Sequence, residues 1–166
     1  MTKINVFIEN TYKEYETDEV SIYKDVIKIS DFIFADSKLI SKSCLCEYKY
    51  KTISFDIVFV NNEKIQHINN EYRNKNQPTD VITFAIFADS PDEERYILDG
   101  EINLGEIIIS LDKIETQSNE NNVTFRDELY FIISHGILHL LGFDHQNKVD
   151  YDFMIEHQNS AKAIVL

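Results

Sequence analysis

The spacing of apolar residues along the chain switches several times between a helical and a strand-like period. In residues 19–36, EVSIYKDVIKISDFIFAD, the side chains of Val20, Tyr23, Ile27 and Phe34 share one helical stripe. Ser30 interrupts that stripe, and Val26 and Ile33 widen it on one side, so the segment predicts an amphipathic helix with this face inward. From Cys46 to Val60, Tyr48, Tyr50, Ile53, Phe55, Ile57 and Phe59 follow the alternation of a strand or a hairpin pair. Asn61 and Asn62 are placed to cap a second helix, EKIQHINNEYR, which turns Ile65 and Ile68 inward. NKNQPTD, with Pro78, reads as a turn, and VITFAIFA after it as a buried strand. DSPDEERYILDGE is an acidic loop, LGEIIIS (104–110) a further strand, and LDKIETQSNENN a polar segment that begins as a short helix. A last helix over DYDFMIEHQNSAKAI completes a set of helices and about four strands, which predicts an α+β fold with a mixed sheet. No repeat or linker divides the chain, so residues 1–166 are expected to form one domain.

Between Phe125 and Leu141 the pattern carries chemistry as well as packing. Thr124 with Asp127 makes a capping-box-like start. At about 100° per residue, Leu129, Ile132, Ile133, Ile137 and Leu140 gather on one side, the expected core face. His135 and His139 are neighbours on another stripe, with Glu128 two turns upstream. Glu128 lies about 10 Å from His135 along the axis and is expected to face solvent. Gly142 is placed to end the helix in a left-handed conformation, so that the chain doubles back and carries His145 toward the other two histidines. Three converging imidazoles with no fourth ligand describe a zinc site with an open position, one Zn2+ per chain. The offsets in HGILHLLGFDH are those of H-E-x-x-H-x-x-G-x-x-H peptidases, except that Gly136 stands where the peptidases carry their general base. A helical glycine costs about 1 kcal/mol relative to Ala, so Gly136 is expected to permit a close approach of backbone or substrate. His67 and His157 sit on other helices and are expected as ordinary surface or boundary residues, joining the site only if their helices fold over it.

Composition narrows the picture. The net charge is −13, which opposes non-specific adhesion to nucleic acid, because neutralising phosphates requires clustered Lys and Arg; DNA binding is not expected. The N-terminal residues lack an apolar signal-peptide core, and the longest nearly apolar run, YFIISHGILHLLGF, is too short and too polar to cross a bilayer. A cytoplasmic protein without membrane association is expected. Cys44 and Cys46, the only thiols, fall in a strand-like stretch and are expected to be reduced and half-buried rather than bridged.

Three segments together resemble one family. HGILHLLGFDH is similar to the H-G-x-L-H-L-x-G-y-D-H of the bacterial YbeY endoribonuclease (rRNA maturation factor) family, with Phe143 where tyrosine is commonest. INNEYRNKNQPTDVITF resembles its L-N-x-x-Y-R-x-x-x-x-P-T-D-V-L-S-F, and LGEIIIS its L-G-D-I-x-I-S, in the same order over roughly residues 55 to 157. The resemblance implies a zincin-like fold, His135, His139 and His145 as zinc ligands, and a functional arginine at Arg73. It also implies single-strand cleavage of ribosomal RNA precursor in small-subunit maturation and ribosome quality control. Arg73 can pair with a phosphate through its planar fork; its plainer alternative is a helix-terminal surface charge. Asp144 has two readings, a side chain that holds the turn or orients a ligand, and the base that Gly136 cannot be. Thr79 and Asp80 are expected to hold the loop beside the cleft. Arg73, Lys75 and Lys64 would form only a small basic patch, which suits an enzyme guided to RNA by ribosomal small-subunit proteins. Two other functions stay open: a ribosome-assembly protein with a non-catalytic zinc, and a metal-dependent hydrolase of another class such as a peptidase.

Overall fold

The computed structural model describes residues 2–166. Its strands are β1 (Lys3–Asn10), β2 (Thr52–Val60), β3 (Val81–Phe84) and β4 (Glu101–Ser110). They form one mixed sheet in the order β1-β2-β4-β3, in which β1, β2 and β4 run parallel and β3 lies antiparallel along the edge of β4. Around it lie α1 (Glu19–Ala35), α2 (Ser37–Ile40), α3 (Asn62–Arg73), α4 (Ile86–Asp89), α5 (Leu111–Glu120), α6 (Phe125–Leu140) and α7 (Lys148–Lys162). The expected α+β class and mixed sheet are present. No helix among the described residues is long and apolar enough to cross a membrane.

The sheet is covered on both faces, as parallel strands require. Ile53, Phe55, Ile57 and Phe59 of β2 join Ile102, Leu104, Ile107 and Ile109 of β4 in the main core with α1, α6 and α7. On the other face Val60, Ile82 and Ile108 pack with Ile65 of α3 in a smaller cluster. Asn61 caps α3 through its side chain, as its position predicts.

Several expectations need correction. The strand neighbouring β2 is not the Cys46–Tyr50 half of a hairpin but β1, which lies outside the expected set; its register runs from Lys3↔Thr52 to Asn10↔Phe59. A parallel partner needs a long crossover, here supplied by α1, whereas a tight turn can join only antiparallel strands. Cys44 and Cys46 therefore sit in turns, Cys44 half-buried and Cys46 exposed. The inward face of α1 is also rotated. Val20 is 66% and Tyr23 43% exposed, while Ile22, Asp25, Val26, Ile29, Ser30 and Ile33 are buried. Two polar residues disguised this stripe, and both are satisfied inside: Tyr130 Oη donates to Asp25 Oδ2 at 2.7 Å, and Ser30 Oγ to the Val26 carbonyl at 2.7 Å. VITFAIFA is a strand only through Phe84; Ile86 begins α4. Arg95 anchors this helix by donating from Nε to the Phe87 carbonyl and from Nη2 to that of Ala88, both at 2.8 Å.

Helix α6 starts at the predicted capping box, with Thr124 and Asp127 bonding each other's backbone N–H. Leu129, Ile132, Ile133, Ile137 and Leu140 are all buried. Glu128 is not in solvent: it is 7% exposed and its Oε2 accepts from Asn121 Nδ2 at 3.1 Å. The loop after α5 folds back over that side of the helix, which a wheel drawn for α6 alone does not contain.

Candidate metal centre

The centre is built at the C-terminal end of α6. His135 and His139, one turn apart on this helix, bring their Nε2 atoms to 2.9 Å, and their rings stand at 76°. Helix α6 ends at Leu140 and Gly142 follows with φ +91°, a conformation only glycine adopts cheaply. The reversed chain returns His145, whose ring centroid lies 5.4 Å from that of His135 and 5.3 Å from that of His139. One nitrogen from each ring can be chosen so that all three lie within 4.8 Å of one another. For a tetrahedral zinc with bonds of about 2.0–2.1 Å the ligand–ligand edge is about 3.3–3.4 Å, between these separations.

The protonation of the pair supports the same fit. His135 Nδ1 lies 3.2 Å from Gln158 Oε1, so it carries the proton and leaves the Nε2 lone pair facing the cleft. At 2.9 Å the two Nε2 atoms are close enough to share one proton or to be bridged by a cation. Burial, then the neighbouring imidazoles, depress the His139 pKa to about 4, and burial lowers that of His135. Both rings are therefore neutral at pH 7, the state a metal requires. Gln158, only 1% exposed on α7, also donates from Nε2 to the Phe131 carbonyl at 3.3 Å, so its amide cannot flip freely. No spacing in the sequence pointed to Gln158, because α7 reaches His135 only through tertiary packing.

A cleft of about 470 Å³ opens over the centre, lined by His135, His139, His145, Arg73, Asp80 and Asp144 among others. Arg73 is the C-terminal residue of α3, and Asn74 after it ends the helix with φ 55°. The loop beyond is pinned where Asn69 Nδ2 donates to the Gln77 carbonyl at 2.9 Å. Arg73 thus reaches the same cleft as the histidines. Lys64 does not: it lines a separate cavity with His67 and Asn76, and Lys75 is absent from the lining of the cleft, so the expected patch reduces to one cation. Asp80 holds its loop as expected, its Oδ1 accepting from Val81 N at 2.7 Å and its Oδ2 from Gln117 Nε2 at 3.3 Å. His67 and His157 stay outside the centre; His157 Nδ1 lies 2.8 Å from the Phe153 carbonyl.

Asp144 spends both carboxylate oxygens on the turn. Oδ1 accepts from His145 N at 2.7 Å and Oδ2 from Gln146 Nε2 at 2.8 Å. These bonds, the first foremost, hold its pKa below the ordinary carboxylate value. At Gly136 the answer is packing. A Cβ there would lie 2.8 Å from Cγ2 and Cδ1 of Ile107 on β4, so the position faces the sheet and a glutamate has no room. The close approach that this glycine permits is to a side chain of the core and not to a substrate.

Fold and site together define an α+β protein with an open three-histidine centre able to hold a metal ion. The chain belongs to the Endoribonuclease YbeY family, whose model matches residues 7–164. An Endoribonuclease YbeY of Staphylococcus carnosus is 47% identical over 102 residues, 61% of this chain and 65% of that protein. That of Fusobacterium nucleatum is 40% identical over 110 residues, 66% of this chain and again 65% of the relative. Each of these two matches thus spans less than two thirds of the relative's length. The Malacoplasma penetrans protein of the same name matches more completely, 35% identical over 158 residues, 95% of this chain and 91% of its own. A Thermotoga maritima protein of known solution structure has the same fold, with a TM-score of 0.59 at 23% identity over 97% of this chain and 89% of that one.

Proposed function

We propose that this chain is a zinc-dependent endoribonuclease that cuts single-stranded ribosomal RNA precursor in the cytoplasm, during small-subunit maturation and ribosome quality control. The observation that carries this is the convergence of three imidazoles in an open cleft that Arg73 also enters, in a member of the Endoribonuclease YbeY family. His135, His139 and His145 would hold the zinc, which supplies Lewis acidity toward a phosphoryl oxygen. Arg73 binds and orients the phosphate, its guanidinium fork matching two of the oxygens. Gln158 fixes the His135 tautomer, and Asp144 shapes the turn that presents His145. A carboxylate held ionised by two hydrogen bonds is a weak base, so the role of Asp144 is in positioning more than in proton transfer.

A non-catalytic zinc would have four protein ligands closing its site, whereas among the described residues only three histidines converge here. The missing glutamate, for which Ile107 leaves no space, speaks against peptide hydrolysis. Basic proteins of the small subunit would offset the −13 charge when the chain meets RNA. The test is cleavage of small-subunit rRNA precursor by zinc-loaded wild type and by His139→Ala, with zinc content measured on both. Wild type should carry close to one zinc and cleave, and the variant should lose both. Cleavage undiminished in a zinc-free variant, or zinc-dependent hydrolysis of casein by wild type, would overturn the reading.

A further inference from the structure

A second cavity, of about 330 Å³, lies against the same centre. It shares His135, His145, Asp80 and Val81 with the first cleft but contains neither Arg73 nor His139. Its other walls are largely apolar and come from α6 and α7, with Phe131, Ile132, Tyr151, Met154 and Ile155 among them. His135 and His145 therefore stand between a larger cleft, where Arg73 faces Asp80, Asp89 and Asp144, and a smaller recess with aromatic walls. Tyr151 is 53% exposed although it stands beside this recess. Phe131 is half-buried, with the Lys162 ammonium 5.8 Å from its ring centroid. Gln158 at the back has both ends of its amide engaged, so the recess offers ring surface and few free polar groups.

We infer that this recess is a nucleobase subsite, in which Tyr151 stacks on the base of a nucleotide next to the phosphate held over the histidines. The inference rests on the endoribonuclease reading and adds how the strand lies: from Arg73, across the three imidazoles, toward α7. A planar, uncharged base suits walls of this composition, and a chain of net charge −13 with one cation in the cleft gains affinity from stacking, which needs no positive charge. Recognition by ring surface is tolerant of base identity, since every base has a π-face. The subsite accordingly selects for an unpaired, unstacked nucleotide and not for a sequence.

The experiment measures binding of a short, non-cleavable 2′-O-methyl RNA single strand to zinc-loaded wild type, Tyr151→Ala and Tyr151→Phe, by fluorescence anisotropy. Stacking on an aromatic side chain is worth about 1–3 kcal/mol per base, so Tyr151→Ala should weaken binding by roughly 5- to 150-fold. Tyr151→Phe, which keeps the ring, should bind nearly as wild type. Zinc content and circular dichroism should match in all three, since Tyr151 is an exposed helical residue and no ligand. A strand with one abasic position should then be scanned across the site; at the matching position it should erase the difference between wild type and Tyr151→Ala. Equal binding by wild type and Tyr151→Ala, binding by neither, or a loss that no abasic position removes would each overturn the subsite. If Tyr151→Ala weakens binding while wild type fails to cleave precursor RNA, the endoribonuclease reading falls and the subsite stands.

Discussion

A guanidinium has no lone pair to give a metal and stays protonated, so Arg73 allows substrate binding to be separated from metal binding. Arg73→Ala should leave zinc content and stability unchanged, because the side chain is exposed at the end of α3. A charge-assisted contact worth about 1.5–3 kcal/mol should be lost, a roughly tenfold to hundredfold fall in kcat/KM for precursor cleavage. Arg73→Lys should recover part of it, since an ammonium cannot reproduce the two-pronged contact. Wild-type kcat/KM in Arg73→Ala would reduce this residue to a surface charge. Gly136 invites a different experiment. Alanine there improves helix propensity by about 1 kcal/mol but drives a Cβ to 2.8 Å from the side chain of Ile107, which is fully buried and must shift within the core. Overpacking of this kind costs about 1–3 kcal/mol, so Gly136→Ala should lower stability in urea, and the penalty should shrink or reverse in an Ile107→Ala background. An additive double mutant would mean that the glycine is kept for another reason.

At the level of elements, α7 is the support of the metal centre although it supplies no ligand. Its Gln158 holds the His135 ring by one bond and α6 by another. Removing such an orienting partner typically costs 10- to 100-fold in metal affinity, and Gln158→Met should do so in competition with a chelating dye. Gln158→Glu should keep most of the affinity, because a carboxylate accepts from Nδ1–H as well as an amide does. Loss in both variants would point to packing instead of orientation. The N-terminus of α6 gives a pH signature. The Thr124 hydroxyl, then the Thr124 backbone N–H and Lys162, holds the Asp127 pKa below its ordinary value. With a depressed folded value, the unfolded chain binds the proton first as pH falls. The stabilisation is therefore full above the ordinary value of about 3.9 and drains away as pH drops through the folded one. Asp127→Asn should be less stable than wild type at pH 7, with the gap closing toward strongly acidic pH; a gap that persists there would assign the loss to something other than charge.

For the molecule as a whole, charge and cleft pull in opposite directions. A net charge of −13 surrounds a cleft with a single Arg and no Lys. Salt dependence on single strands is about −0.7 in log K per phosphate neutralised. Affinity for a free RNA strand should therefore fall with a slope of only about −0.7 to −1.4 on the log salt scale, one or two phosphates. A slope several times steeper would reveal a basic track elsewhere on the surface and remove the need for basic partner proteins.

The parts of this molecule written into local spacing are those that one element contains. The capping box, the buried stripe of α6, the His135–His139 pair and the turn at Gly142 each depend on residues a few positions apart, so helix geometry alone places them. The segment resemblances added Arg73 to the same cleft. What depends on a distant partner was out of reach. Strand β1 needs β2, some 50 residues on, before its alternation means anything. The inward face of α1 carries Asp25 and Ser30 and is recognisable as core only once Tyr130 is seen to satisfy the carboxylate. Gln158 and Tyr151 reach the metal centre because α7 packs against α6, and Gly136 is compulsory because Ile107 stands across from it on β4. Backbone periodicity encodes which way a side chain leaves its own helix or strand, while the atom that meets it belongs to another segment and is set only when the layers close.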